Sequence, residues 1–174
     1  MGDPRKIRRA FLRPGHPWQK ERIEQENELL KEYGLKNKTE IWKTTSQLRT
    51  FANQAKKLIA ATHEQGQREK TQLLKRLQRL GLISSEAKLD DVLSITLKDL
   101  LERRLQTYLV RKGLAKTMHQ SRQFITHEHI MVGTKKMTRP SHHVLVEEET
   151  HVTFSTSSLL ANPEHPLRNT EVKK

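Results

Sequence analysis

The residues with the most capacity for chemistry in this sequence are its cations and its histidines. Between positions 103 and 139 lie nine Lys or Arg and a single acid, Glu128, a local net of +8. A solvated surface normally mixes its signs, so this stretch is a candidate contact face for a polyanion. His127-Glu128-His129 places two imidazoles at i, i+2, with His142, His143 and His151 downstream. A zincin needs His at i and i+4 on a helix around a Glu, and that spacing is missing. These histidines therefore read as polar residues on a basic hairpin facing solvent or RNA, and no metal site is expected. Asp90-Asp91 and Glu147-Glu148-Glu149 fall at expected turns or helix starts, and read as caps or solvated turns. No two of the seven glycines are closer than thirteen residues, which excludes a P-loop and a dinucleotide fingerprint. No Gly-x-Ser-x-Gly elbow occurs. Cysteine is absent, which removes disulfides, thiolate metal sites and cysteine nucleophiles. No cofactor is expected, and a free-standing small-molecule enzyme becomes the weaker reading.

The whole chain carries the same sign. Its 174 residues hold 33 Lys and Arg against 20 Asp and Glu, a formal net charge of +13, and only 33% are hydrophobic. That composition predicts a folded chain with a thin core and a polyanionic partner. Residues 1–20 carry six basic groups and one acid, and residues 31–82 carry twelve against four. Residues 83–102 reverse sign, with five acids against Lys88 and Lys98. The start, Met1-Gly2-Asp3-Pro4-Arg5-Lys6, has no apolar stretch like that of a signal peptide, and Lys6 stands where myristoylation wants Ser or Thr. With no run long enough for a membrane span, the reading is soluble and cytoplasmic.

The elements that must position the cations are mostly helical. Pro17 suits a first helical position, and Trp18 to Tyr33 is helix-friendly until Gly34. Asn37-Lys38-Thr39-Glu40 predicts a cap with a reciprocal Glu, opening a helix that the spacing of Ile41, Leu48, Phe51, Ala55, Leu58 and Ile59 carries to about Gln65. Leu73, Leu74, Leu77 and Leu80 mark a third helix, closed by Gly81. Thr96 caps a fourth, whose stripe Leu97, Leu100, Leu101, Leu105, Tyr108, Leu109 runs unbroken toward Gly113. Thr117 caps a short helix with Phe124 and Ile125. The period then changes: Ile130-Met131-Val132 reads as a strand, Gly133-Thr134 as a tight turn, and Val144-Leu145-Val146 and Val152-Thr153-Phe154 as further strands, with Pro140 in the bend. From Ser155 the chain reads as an extended tail. The fold class is α+β: a mostly helical N-terminal region, then a small helix–helix–β-hairpin unit.

That unit carries the candidate site. One helix brings Arg103, Arg104, Arg111 and Lys112, the next brings Arg122, and Lys116 and Thr117 stand at the joint, where backbone amides and cations can grip phosphate. Lys135 and Lys136 sit at the hairpin tip. Alanine at Arg104 or Arg122 is expected to weaken nucleic-acid binding more than alanine at Lys173. The competing reading is that Arg104 covers the Leu101–Leu105 stripe with its methylene stem. Two helices and a turn also suit a DNA-reading helix-turn-helix, so charge alone leaves the nucleic acid open.

Specific runs of residues narrow the choice. Leu101-Glu102-Arg103-Arg104-Leu105-Gln106-Thr107, Arg111-Lys112-Gly113-Leu114-Ala115, Gln120-Ser121-Arg122-Gln123-Phe124-Ile125-Thr126-His127 and Ile130-Met131-Val132 resemble an S-four-type RNA-binding domain. Upstream, Met1-Gly2-Asp3-Pro4, His16-Pro17-Trp18, Tyr33-Gly34-Leu35-Lys36-Asn37-Lys38-Thr39-Glu40-Ile41-Trp42 and Leu89-Asp90-Asp91-Val92-Leu93 are similar to the archaeal branch of the small-subunit ribosomal protein S-four family. So is the tail Ala161-Asn162-Pro163-Glu164-His165-Pro166. The resemblance implies four parts: a basic arm over 1–20, a helical domain over 17–102, the RNA-binding domain over 103–154 and a polar tail over 155–174. Carried over onto the matching positions, it adds Gln123 to the RNA-binding set of Arg103, Arg104, Arg111, Lys112, Lys116, Thr117, Arg122, Lys135 and Lys136.

The chain departs from the family where Glu128 replaces a usual Gly, Gly133-Thr134 replaces Asn-Gly, and Glu147-Glu148-Glu149-Thr150 replaces Pro-Gly-Asp-like turn residues. The resemblance implies a primary binder of small-subunit ribosomal RNA at a junction in the 5′ domain. Such a protein nucleates assembly of the subunit body and, beside the S-five protein, affects translational accuracy. It is not a homo-oligomer, and it meets no membrane. The alternatives are an S-four-domain RNA-binding protein acting off the ribosome and a basic DNA-binding regulator. An RNA-modifying enzyme such as a pseudouridine synthase needs a separate catalytic domain, for which no stretch outside 97–154 is long enough or β-rich enough.

Overall fold

The computed structural model describes residues 11–162 and 165. Residues 1–10 of the expected arm, most of the tail from 163 onward and Lys173 lie outside the described residues. The architecture is α+β, with a small three-stranded antiparallel sheet in the C-terminal half.

Five helices precede the sheet-bearing unit: α1 (Lys20–Glu32), α2 (Lys38–Ile59), α3 (Glu64–Arg79), α4 (Leu89–Ser94) and α5 (Leu97–Glu102). Helix α1 ends at Tyr33, and Gly34 turns the chain at φ +55°. A side chain would not fit there, because a Cβ on Gly34 would lie 2.5 Å from that of Met118. Helix α2 stops at Ile59, six residues short of the expected Gln65. The chain must reverse there so that Leu73 and Leu77 of α3 can bury against Phe51 and Ala55, in a cluster that Leu89, Val92, Ile95 and Leu100 complete. A second cluster joins α1, α2 and α5 through Tyr33, Leu35, Ile41 and Leu101. Local caps hold the two short helices. The Asp91 carboxylate accepts from the Lys88 amide at 2.7 Å, and the Asp99 carboxylate accepts from the Thr96 amide at 2.8 Å.

The Leu97–Leu109 stripe predicts one helix, and the structure breaks it. Arg103 and Arg104 separate α5 from α6 (Leu105–Arg111), with Arg104 extended at ψ 141°. The amides of Leu105 and Gln106, which a continuous helix would turn on residues 101 and 102, instead donate to His142 and Pro140 carbonyls at 2.7 and 3.4 Å. The Val144 amide returns to the Arg103 carbonyl at 2.9 Å. Backbone bonds to a loop some forty residues later thus outcompete the helical ones.

Thr117 caps α7 (Met118–Thr126) as its position predicts, accepting from the Gln120 amide. Strand β1 (Ile130–Val132) pairs with β2 (Lys135–Lys136) across the Gly133-Thr134 turn, and with β3 (Val152–Phe154) on its other edge. The expected strand at Val144-Leu145-Val146 does not form. One bridge, Arg104 to His143, is all the pairing there, and Val146–His151 winds into a 3-10 helix whose start the Glu148 carboxylate caps at Leu145. Residues 155–162 are not extended either. The Ser155 amide donates to the His129 carbonyl at 2.7 Å, and Leu160 enters the core formed by Leu105, Leu109, Phe124, Ile125, Ile130, Val144 and Val152.

Glu128 is left-handed, at φ +62°. Its amide and that of His129 return to the Ile125 and Phe124 carbonyls, which closes α7 in the arrangement that favours glycine. Glu128→Gly should therefore raise stability by about 1 kcal/mol, seen as a higher midpoint in thermal or urea unfolding. Gly34→Ala should lower it, and by more than a surface substitution does, because both φ and the space at Met118 are wrong for a methyl group.

Candidate nucleic-acid interface

The seam between the helices and the sheet-bearing unit is built around one carboxylate. Glu40 lies in the first turn of α2, after an Asn37 that makes no side-chain cap bond. The expected reciprocal cap is absent because Glu40 faces across the seam. Its Oε2 accepts from the Arg104 guanidinium, and its Oε1 accepts from Arg122 at 2.8 Å. The side chain of Arg104 is 4% exposed and that of Arg122 is 24% exposed. Gln106, buried, braces the same point. Its Nε2 donates to the carbonyls of Gly34 and Met118 at 3.1 and 3.0 Å, and its Oε1 accepts from Arg122 at 3.3 Å. Burial alone would raise the Glu40 carboxyl, but the Arg122 hydrogen bond and the charges of Arg104 and Arg122 outweigh it, and the group is held below its ordinary value. Burial presses the Arg104 guanidinium down, and Glu40 works against that. His143, beside them, is pushed down to about 4 by burial and by the charges of Arg104, His142 and Arg103.

The other expected site residues separate into two groups. Arg103 points inward, with Glu149 at 2.6 Å and the Val144 carbonyl at 2.8 Å. Arg111 is mostly exposed but grips both oxygens of Glu102. Lys112 donates to the Glu149 and Val152 carbonyls, both at 3.0 Å. Thr117 spends its hydroxyl on the α7 cap. Gln123, Lys116, Lys135 and Lys136 stand exposed, and these three lysines have no ion-pair partner among the described residues. Helix and hairpin thus bring Arg122 into the seam and leave Lys116, Lys135 and Lys136 open to a partner. Arg103 and Arg104 are instead committed within the protein.

Other cations of the helical unit face the same seam. A cleft of about 470 Å³ runs between α2 and the 140–143 loop, lined by Lys43, Gln47, Arg122 and Ser141 among others. It adjoins a hollow of about 580 Å³, where Lys75, Arg76 and Arg79 of α3 face His142 and His143. The sequence held the signal for this stripe: positions 72, 75, 76 and 79 share one helical face within the twelve-to-four basic stretch. The His127 and His129 rings stack at 6.1 Å, and among the described residues no group of three or more His, Asp or Glu could hold a metal ion.

Two outcomes follow from the seam. Arg104→Ala leaves Glu40 half-paired in a desolvated place, and should lower stability by about 3 kcal/mol in urea unfolding. Lys116→Ala should stay within about 0.5 kcal/mol. His143 also makes stability depend on pH. Its folded value near 4 lies below the roughly 6.5 of an unfolded histidine, so its contribution is whole above the unfolded value. That contribution is lost as pH falls through the interval down to about 4. The unfolding midpoint should drop between pH 7 and 5, and His143→Gln should shrink that drop; an unchanged drop would assign it to other groups.

The S4 domain family model matches residues 103–149, the stretch from the Arg103–Arg104 break to the 3-10 helix. The small ribosomal subunit protein uS4 of Methanococcus aeolicus is 51% identical over 174 residues, covering 99% of this chain and 98% of its own length. That of Nanoarchaeum equitans is 52% identical over 169 residues, 96% of this chain and 94% of its own. That of Ignicoccus hospitalis is 48% identical over 158 residues, 91% and 95% of the two chains. The likeness covers the helical unit and the S4 domain alike, and the chain belongs to the uS4 family of small ribosomal subunit proteins.

Proposed function

We propose that this chain is a structural, non-catalytic constituent of the small ribosomal subunit in the cytoplasm, and that it works by binding small-subunit ribosomal RNA. The observation that carries the reading is the likeness over both units to proteins named as small ribosomal subunit components. Likeness confined to the S4 domain would have suited an RNA-binding protein acting off the ribosome, and a DNA-binding regulator has no support in the helical unit. The exposed cations agree in kind. Lys116, Lys135 and Lys136 stand exposed on the S4 domain, and Lys43, Lys75 and Arg76 on α2 and α3 line adjoining clefts at the seam, a layout suited to gripping phosphate backbone by shape.

The finer parts of the reading are that the RNA target is a junction in the 5′ domain, and that the protein is a primary binder whose docking nucleates the subunit body. It further places the S-five protein alongside, where the pair affects decoding accuracy. The residues expected to meet RNA are Lys116, Arg122, Gln123, Lys135 and Lys136, with Arg111 and Lys112 at the margin.

Filter binding across a salt series tests this. For roughly six to ten phosphate contacts, log K should fall with log salt at a slope on the order of −4 to −9. Alanine at Lys116, Lys135 and Lys136 together should flatten the slope by about two to three. A 5′-domain fragment should outbind a shuffled RNA of equal length and duplex DNA at high salt. Equal affinities there would sink the reading.

A further inference from the structure

We propose that Glu40 is an internal anion that an RNA backbone phosphate replaces on Arg122, so that the seam cleft is a phosphate subsite open only to RNA seated on both units. This rests on the RNA-binding reading above and adds to it a specificity-determining residue. The two arginines on Glu40 are unequal. Arg104 is enclosed, 4% exposed at its side chain, and cannot follow a ligand outward. Arg122 lines the open cleft and is 24% exposed, with a second nitrogen on Gln106 holding it in place.

Releasing Arg122 would therefore not strand Glu40. One of its oxygens keeps Arg104, and the other, at the cleft wall, can be met by water. That asymmetry makes exchange inexpensive, where breaking a doubly buried pair would not be.

The cleft suits the incoming group. Among the described residues lining it, Glu40 is the only acid, while Lys43, Asn37, Thr39, Gln47 and Ser141 offer donors around the Arg122 guanidinium. Among the described residues lining it there is no Phe, Tyr or Trp, the one aromatic ring being that of His143, and its volume of about 470 Å³ admits a phosphodiester with its riboses. The Arg104 Nε has no hydrogen-bond partner, so the enclosed guanidinium keeps donor capacity beside the carboxylate. Until RNA arrives, Glu40 cancels the charge of Arg122. A ligand touching only one unit gains little from this arginine, because it must displace a carboxylate already in place. RNA that spans the seam presents its phosphate at the guanidinium with the rest of its contacts made, and the exchange goes forward.

Full-length wild type, Glu40→Gln and Arg122→Gln would be compared by salt-titrated filter binding, on a 5′-domain RNA fragment and on a shuffled RNA of equal length. Unfolding midpoints would be measured alongside. Glu40→Gln frees Arg122, so binding to shuffled RNA should tighten about five- to tenfold, with a slope steeper by about one, and the ratio between the two RNAs should fall. Arg122→Gln should weaken the 5′-domain fragment about tenfold with a slope shallower by about one, while shuffled RNA binding barely changes. Arg122→Gln carries the test alone if Glu40→Gln fails to fold. If Glu40 only clamps the units together, both variants lower the midpoint and weaken both RNAs by the same factor at unchanged slope, and the inference is overturned. Wild type that fails to distinguish the two RNAs would instead strike at the ribosomal reading, whatever the variants do.

Discussion

Glu40 sits where loss of water disfavours a carboxylate, and it stays ionised there because Arg104 and Arg122 converge on it from the other unit. Other features of the seam arrange themselves around that contact. Arg104 is extended so that its side chain can reach α2, and this interrupts a helix the apolar stripe would otherwise have continued. Gln106 follows it and braces Gly34 at the end of α1 against Met118 at the start of α7. Gly34 can be nothing larger, because α7 comes that close.

A chain of net charge +13 gains nothing from compaction in Coulomb terms, and its few acids are deployed accordingly. Glu26 is buried in α1, with Arg22, Lys38 and the Trp42 indole around it. Burial would raise its carboxyl, and those partners hold it below its ordinary value instead. Glu102 takes Arg111 and the Tyr33 hydroxyl, whose own ionisation burial and Glu102 push up to about 12. Glu149 takes Arg103. Arginines take the inward contacts here, because a planar guanidinium can divide itself between a carboxylate and a carbonyl, as Arg103 does. Lysines, as point charges that keep their water, mostly hold the rims, Lys38 on Glu26 being an exception.

The parts of this fold legible in the sequence are those settled within a few residues. Thr96 with Asp99, Thr117 with Gln120 and the Gly133 turn are contests between neighbours, and the local chemistry decided them. Where the outcome depended on remote partners, local pattern misled. Asn37-Lys38-Thr39-Glu40 has the form of a capping box, yet the Glu40 partners lie 64 and 82 residues away. The Leu97–Leu109 stripe continues through Arg103 and Arg104 because both α5 and α6 need an apolar face. Nothing in that stripe reveals that the faces meet different cores. For the site, charge counting found the right region but could not tell an arginine aimed at phosphate from one already holding a glutamate. That distinction rests on burial, and burial is decided by packing. Leu160 was hidden for the opposite reason, as a lone apolar pair in a polar stretch with no period to flag it.

Leu160 also imposes an order on how the molecule can be completed. Every residue of the two helical clusters precedes Arg104, so both can close as soon as the chain has emerged to Leu101. The core of the S4 domain lacks a wall until Leu160 has been added. Between those two moments Glu40 stands at the surface of a finished helical unit with neither arginine opposite it. The nascent protein thus carries an uncompensated carboxylate at the place where the mature one will hold a balanced pair, beside cations of α2 and α3 that already face the seam.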